Sequence, residues 1–533
     1  MNILVADAIS PAAVKMLQAQ AGWNVILSSP KEFTEHLAGS EAMLIRSGVK
    51  VTAEVLAKAT RLRVIGRAGS GVDNIDMDAA TANGVVVMNT PGGNANSVAE
   101  HTLALILAVS RSIAQASAST KAGRWEKKRF LGNEIGGKTL GIVGLGNIGM
   151  QVALRARPFG MKILAHDPFV SRESAKDRGV EIVELDELYA ASDFISLHVS
   201  LTPQTHHMLG AEAFAKMKQG VRIVNCARGE LIDTEALREA LDAGKVAAAA
   251  LDVFSPEPPP ADSPLLRHDN VIATPHIGGS TEEAQETVGI RIAEQVRDYL
   301  KSGVVTNAVN MPSISAEQYG SLRPYLVLAE RLGSFVAQIA TGPPKRVKVI
   351  YSGVCGESNS SLLRNAALAG ILNRFLSQKA NLINAAQVAD SRGLGVSEIR
   401  RARSTASDTM GLILETEDGE RQVEGAVFAG VSPRLISVDG IFVETPLNGH
   451  MVFLKNNDVP GVIGRVGTIL GDNTINIADF SLGRRENHDR PDAPAEAVAV
   501  VRIDEPLPQP VLEQLAQLPA VNFARLVELP AQD

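Results

Sequence analysis

Three side chains in separate stretches carry the groups needed to move a proton beside a bound carboxylate. They are Arg228 in Asn225-Cys226-Ala227-Arg228-Gly229, Glu257 in Leu251-Asp252-Val253-Phe254-Ser255-Pro256-Glu257-Pro258, and His276 in Thr274-Pro275-His276-Ile277-Gly278-Gly279. An imidazole with an ordinary pKa near 6.5 suits a base that takes a hydroxyl proton. A carboxylate on its other ring nitrogen would fix the tautomer and stabilise the imidazolium. The planar fork of an arginine can grip a carboxylate and polarise the oxygen on the neighbouring carbon. Each stretch alone also reads as an ordinary surface turn. Their specificity lies in the combination, because each directly follows an apolar run that reads as a strand, and open α/β sheets bind ligands beyond the carboxyl ends of their strands.

Upstream of all three lies Gly144-Leu145-Gly146-Asn147-Ile148-Gly149, a GxGxxG sequence between an apolar strand and a helix expected to begin near Asn147. In that setting the first glycine permits a tight turn, the second admits a pyrophosphate to the backbone, and the third lets helix pack on strand. The exposed N–H groups at the helix start would face the phosphates. Asp167 ends the next strand, where a carboxylate can hold the adenine ribose hydroxyls and repel a 2′-phosphate, so NAD is favoured over NADP. The competing reading is a glycine-rich turn followed by a surface Asp.

The elements that must position these groups alternate along the chain. Strands are expected at Ile3–Ala6, Val25–Leu27, Ala42–Ile45, Val64–Gly66 and Val85–Met88, with Ser10 and Pro11 opening the first helix. A long helix is expected from Ser97 to Ala122. A second series runs through Thr139–Val143, Lys162–His166, Phe194–His198, Val221–Asn225, Ala247–Leu251 and Val271–Ala273, and a helix from Thr281 to about Lys301 closes it. Such alternation points to parallel α/β sheets. Residues 308–445 carry another mixed pattern, and residues 446–533 read as a βαββαβ module with an exposed loop at Asn487–Ala495.

With 533 residues, 45% hydrophobic and 21% charged, the chain has material for three or four domains with buried cores. A net charge of −7 disfavours nucleic acid or an anionic membrane as partner. Cys226 and Cys355 are too few for a disulfide framework or a metal site, and they suit a reducing, cytoplasmic setting. The start of the chain reads as a strand rather than a secretory leader, and no apolar run approaches the roughly 20 residues of a membrane span.

Taken together, the fingerprint and the three stretches resemble the D-isomer-specific 2-hydroxyacid dehydrogenases, and within them the long enzymes that act on D-3-phosphoglycerate. The resemblance implies a Rossmann-type nucleotide domain, residues 96–283, inserted into a flavodoxin-like substrate domain formed by residues 1–95 and 284–307. An α+β intervening domain would follow, then an ACT domain. It implies Arg228, Glu257 and His276 as the catalytic trio and Asp252 at the nicotinamide carboxamide. Val199, Ala227, Gly278 and Gly279 would add backbone contacts to the cofactor. It places Arg46, Arg67, Ser70 and Asn94 at the substrate, where Arg67 reads equally as a phosphate ligand, a carboxylate ligand or a loop support.

Arg129, in the basic run Lys127-Lys128-Arg129 beside Trp125, resembles a segment that reaches the neighbouring subunit's site, so a homo-oligomer, dimer or tetramer, is implied; the run also reads as solvated charge. Lys345, Arg346, Lys348, Arg400 and Arg401 form a candidate anion cluster or an ordinary charged surface. Asp458 and Asn476 are carried over as contacts for an amino-acid effector, L-serine, although Asn456 stands where a serine-inhibited relative can carry His. The implied activity is NAD-dependent oxidation of D-3-phosphoglycerate. The alternatives are another D-2-hydroxyacid dehydrogenase, such as a hydroxypyruvate or glyoxylate reductase, and an NAD-sensing regulatory protein. The length beyond residue 310 favours the first.

Overall fold

The computed structural model describes residues 1–314, 316–353, 360–376, 380–401, 408–485 and 495–531. Cys355 and nearly all of the Asn487–Ala495 loop lie outside them. Two parallel sheets account for the first 300 residues. In the first, the strands run in the order Asn24–Leu27, Asn2–Val5, Ala42–Ile45, Val64–Arg67, Val86–Met88, the 2-1-3-4-5 arrangement of flavodoxin-like domains. Ser10 caps the first helix by accepting from the Ala13 N–H, with Pro11 in its first turn. The helix Glu282–Ser302, capped by Thr281, returns to cover this sheet, and Val288, Ile292 and Val296 join Ile3, Val64 and Val86 in one core.

The second sheet has seven parallel strands. From one edge they are Val271–Ala273, Val246–Leu251, Val221–Asn225, Phe194–Leu197, Thr139–Val143, Lys162–His166 and Glu181–Ile182. Renumbered within the domain, this is the 3-2-1-4-5-6 order of a dinucleotide fold with one added strand. Strand order reverses between Thr139–Val143 and Phe194–Leu197, which is where such sheets open a ligand crevice.

The helix expected over Ser97–Ala122 is two helices, Ala95–Arg111 and Ile113–Lys121, bent by 65°. Ser112 takes a left-handed conformation (φ 50°) and ends the first of them. Serine there costs about 1–2 kcal/mol relative to a helical conformation, so the break is imposed by packing rather than by a glycine or proline readable in the sequence. No single helix among the described residues is long and apolar enough to cross a membrane.

Beyond residue 314, helices Ala316–Ile339 and Ser360–Phe375 pack on a six-stranded sheet formed by the strands between Pro344 and Pro446. Asn381 and Asn384 donate side-chain hydrogen bonds to the carbonyls of Gly84 and Ala82, which docks this domain on the first sheet. The final module is βαββαβ. Its antiparallel sheet has the order Ile477–Arg484, Glu496–Ile503, Gly449–Asn457, Val521–Leu529. The two C-terminal units share a core, since Leu332 and Phe335 pack in one cluster with Phe453, Val500 and Val527. Arg331 ties them further by donating to the carbonyls of Leu447 and Ala531.

Candidate active site

Carboxyl ends of strands from both N-terminal sheets meet at one cleft. The nucleotide side begins at Gly144, whose φ is +93° and where a Cβ would strike the His198 carbonyl. Gly149 is bare for a related reason, because a Cβ would enter the Gly144 carbonyl and separate helix from strand. Around Gly146 there is open space, and the helix Asn147–Ala156 starts there without a side-chain cap. Its first N–H groups therefore remain available to a phosphate. Asp167 follows its strand as expected and accepts from the N–H groups of Leu145 and Phe169, which holds its carboxylate beside the glycine turn. Val199, in the loop after Phe194–Leu197, lies against Gly144. These features fit a dinucleotide.

His276 and Glu257 meet, with imidazole Nδ1 2.8 Å from a Glu257 oxygen. The other Glu257 oxygen accepts from the Phe254 N–H at 3.0 Å, so the carboxylate is fixed on both sides. Hydrogen bonding to Glu257 raises the pKa of His276 above its ordinary value against the opposing effect of burial. For Glu257, burial pushes upward, but bonds from His276 and Phe254 outweigh it and the net shift is downward. The pair is thus arranged to carry a proton on the imidazole and a charge on the carboxylate. His276 itself has φ +53°, in a turn where its N–H donates to the Asp252 carbonyl.

Asp252 holds that turn together. Its buried carboxylate accepts from Thr274 Oγ1 (2.6 Å) and from the N–H groups of Ile277 (2.9 Å) and Gly278 (2.8 Å), and His101 Nε2 stands 3.3 Å away. The implied contact of Asp252 with a carboxamide thus meets a carboxylate already engaged with its own loop. His101, Cys226 and Asp252 place donor atoms within 4.8 Å of one another. Burial pushes the Cys226 thiol up to about 12.

Arg228 sits in a turn braced by buried Asn225, whose side chain accepts from the Ala227 N–H and donates to the Arg228 carbonyl. Across the cleft, a polar cavity of about 270 Å³ is lined by Arg46, Arg67 and Asn94 on one side and by Glu257, His276 and Gly279 on the other. Arg67 is largely buried, and its Nε has no partner. Burial first, then the nearby charge of Arg228, lowers its pKa. A guanidinium in the wall of a polar cavity, beside a second arginine, is a receptor for an anion. Asn94 lines the cavity, and Ser70 stands behind it, its Oγ donating to Asn94 Oδ1 at 3.0 Å.

Other expected site residues lie elsewhere. Arg129 pairs with Glu126 and with Asp269, which precedes the strand Val271–Ala273, and so faces the sheet edge opposite His276. Asp458 pairs with Arg484 while Asn476 donates to Asp504. Arg484 ends the strand that Asn476 precedes, so within one chain the two candidates stand roughly 20 Å apart. Arg346 and Lys348 both pair with Glu415, and Lys345 approaches Glu417, so acids neutralise the candidate anion cluster. Arg400 donates to Ser360 and lies with Arg401 on an exposed edge strand. Sequence reasoning missed Asp73, His101 and Thr274. Asp73 had a weak signal, three residues beyond Ser70 in the same glycine-rich loop, whereas His101 is masked by the apolar helix around it.

Fold and site together define a nicotinamide-dependent dehydrogenase of 2-hydroxyacids. Residues 103–278 match the family described as D-isomer specific 2-hydroxyacid dehydrogenase, NAD binding domain. Residues 321–439 match the D-3-phosphoglycerate dehydrogenase intervening domain, and residues 450–520 the ACT domain. The chain is 43% identical to D-3-phosphoglycerate dehydrogenase of Methanocaldococcus jannaschii, covering 99% of this chain and 100% of that one. It is 39% identical to the Bacillus subtilis enzyme of that name, over 99% and 100%. Among solved structures, D-lactate dehydrogenase from Aquifex aeolicus complexed with NAD and lactic acid shares 32% identity and a TM-score of 0.51, over 59% of this chain and 100% of its own. A glyoxylate reductase from Paecilomyes thermophila shares 33% and 0.52, over 58% and 98%. This chain belongs to the D-3-phosphoglycerate dehydrogenase family.

Proposed function

We propose that this protein oxidises D-3-phosphoglycerate to 3-phosphohydroxypyruvate with NAD, opening the phosphorylated route to L-serine. The observation that carries the reading is the cavity that sets the His276–Glu257 pair beside Arg46 and Arg67. The full-length relatives named for this activity support the same substrate. When bound, NAD supplies the acceptor for the hydrogen and electron pair leaving C2. His276 takes the proton of the C2 hydroxyl, and Glu257 stabilises the imidazolium that results. Arg228 grips the carboxylate and draws charge from the C2 oxygen, while Arg67 and Arg46 balance the phosphate. Asp252 acts through the loop, keeping His276 aimed.

Arg129 serves a neighbouring copy in this reading, supported by its distance from its own cleft and by the exposure of Trp125 (85%) and Leu131 (91%) beside it. L-Serine is the proposed effector of the ACT domain, with a site completed by a second copy. Initial rates of NADH formation with D-3-phosphoglycerate and with D-glycerate test the substrate. The phosphorylated acid should be preferred by at least about a hundredfold in kcat/KM, the value of one or two charge-assisted contacts. A preference for D-glycerate refutes it.

A further inference from the structure

Arg228 is held from across the cleft. Asp73, on the substrate-domain loop after Val64–Arg67, places one carboxylate oxygen 2.9 Å from Arg228 Nε and 2.7 Å from Nη2. The side fork of the guanidinium is therefore occupied. On the far side, Nη1 donates to the Ala227 carbonyl at 2.6 Å, back along its own main chain. Nε and Nη1 each donate one hydrogen bond, and Nη2 is in ion-pair contact with the same Asp73 oxygen. The end fork, with one N–H from each Nη, faces away from these partners and matches a carboxylate. Gly71 completes the arrangement, since a Cβ there would collide with Arg228 Nη2 and crowd Asp73. The bare glycine and the carboxylate form a slot with one way for the guanidinium to lie. Arg67 stands close enough to both Arg228 and Arg46 for the charges to repel, and Asp73 offsets this.

From this geometry we infer that Asp73 is a positioning residue for the reaction: it clamps the side fork of Arg228 so that the end fork faces the substrate carboxylate. Because clamp and arginine come from different domains, Arg228 is held in aim only when the cleft is closed. Asp73 does not touch the substrate, so its removal should weaken carboxylate binding more than the chemical step. The inference rests on Arg228 as the carboxylate receptor proposed above.

The test is a double-mutant cycle on the full-length protein with Asp73→Asn, Arg228→Lys and the double variant. Steady-state kinetics with D-3-phosphoglycerate would be paired with fluorescence titration of NADH. Asp73→Asn should bind NADH within twofold of wild type yet lose about tenfold to a hundredfold in kcat/KM, mostly through KM. Asp73→Glu should recover part of that loss. Lysine has no side fork, so adding Asp73→Asn to Arg228→Lys should change kcat/KM by less than about twofold. An Asp73→Asn variant with unchanged or lower KM overturns the clamp, as do losses that simply add in the double variant. If Arg228→Lys itself keeps near-wild-type kcat/KM, the receptor reading falls and the clamp with it; if it is crippled while Asp73→Asn is normal, only the clamp falls.

Discussion

Replacing Glu257 with glutamine removes the charge beside His276. The shape is preserved, and the amide oxygen can still accept from Nδ1 of His276 at the present 2.8 Å. The amide NH2 then stands where a Glu257 oxygen accepts from the Phe254 N–H, so that second bond is given up. At His276, what changes is the charge. A hydrogen bond to a charged partner contributes about 1.5–3 kcal/mol, roughly twice a neutral one. Both side chains are partly exposed, at 50% and 38%, which places the bond toward the lower end of that range. Since the bond is weakened rather than lost, about half of it, roughly 0.8 kcal/mol of imidazolium stabilisation, disappears, a fall of about fourfold in kcat.

The pH profile gives a sharper readout. In the oxidative direction His276 must be neutral, so activity disappears as pH falls through its raised pKa. In the reductive direction it must be protonated, so activity disappears as pH rises through the same point. Without the Glu257 charge, burial dominates and the midpoint moves down. Oxidation by the variant should extend to lower pH, while reduction fails earlier. Kinetics of both directions across pH 5–9 would measure this; a midpoint that stays or rises, with kcat within twofold of wild type, refutes the pairing as the source of base strength.

Arg67→Met should lower kcat/KM for D-3-phosphoglycerate by about ten- to a hundredfold while raising the thermal midpoint of the ligand-free protein, because a buried guanidinium with an unmet Nε is replaced by an apolar chain. Calorimetry showing destabilisation would contradict the receptor assignment. Asp167→Ser should raise the NADP-to-NAD ratio of kcat/KM at least about tenfold by removing the charge that repels a 2′-phosphate; an unchanged ratio argues against Asp167 at the ribose. Leu332→Ala, at a fully buried position in the core shared by the two C-terminal units, should cost about 2–5 kcal/mol of their stability. Denaturant unfolding should show that loss while NADH affinity is preserved.

Much of this site was legible because its signals are local. GxGxxG followed by Asp167 needs only a strand, a turn and a helix in sequence, and the structure has those elements in that order. Glu257 and His276 sit on loops from neighbouring strands, so parallel pairing alone brings them together. Asp73 and Arg228 are 155 residues apart, and their meeting depends on how two domains close. No spacing rule reports that. The pairing of Arg346 and Lys348 with Glu415 follows from the antiparallel register of Pro344–Ser352 on Thr409–Thr416, which opposes Arg346 to Glu415. A run of cations read alone looks like an anion site until that register is known. Ser112 shows the same limit for backbone, since nothing in a polar residue within a helical pattern marks a 65° bend.

The account stands most directly on a single-turnover measurement: protein in excess over D-3-phosphoglycerate, with saturating NAD and a carbonyl trap to remove the keto acid. One NADH per substrate molecule, together with trapped 3-phosphohydroxypyruvate, is the predicted result. His276→Ala should form NADH at least about a hundredfold more slowly while still binding the nucleotide. No NADH from the wild-type protein, or an undiminished rate in the His276 variant, would contradict it.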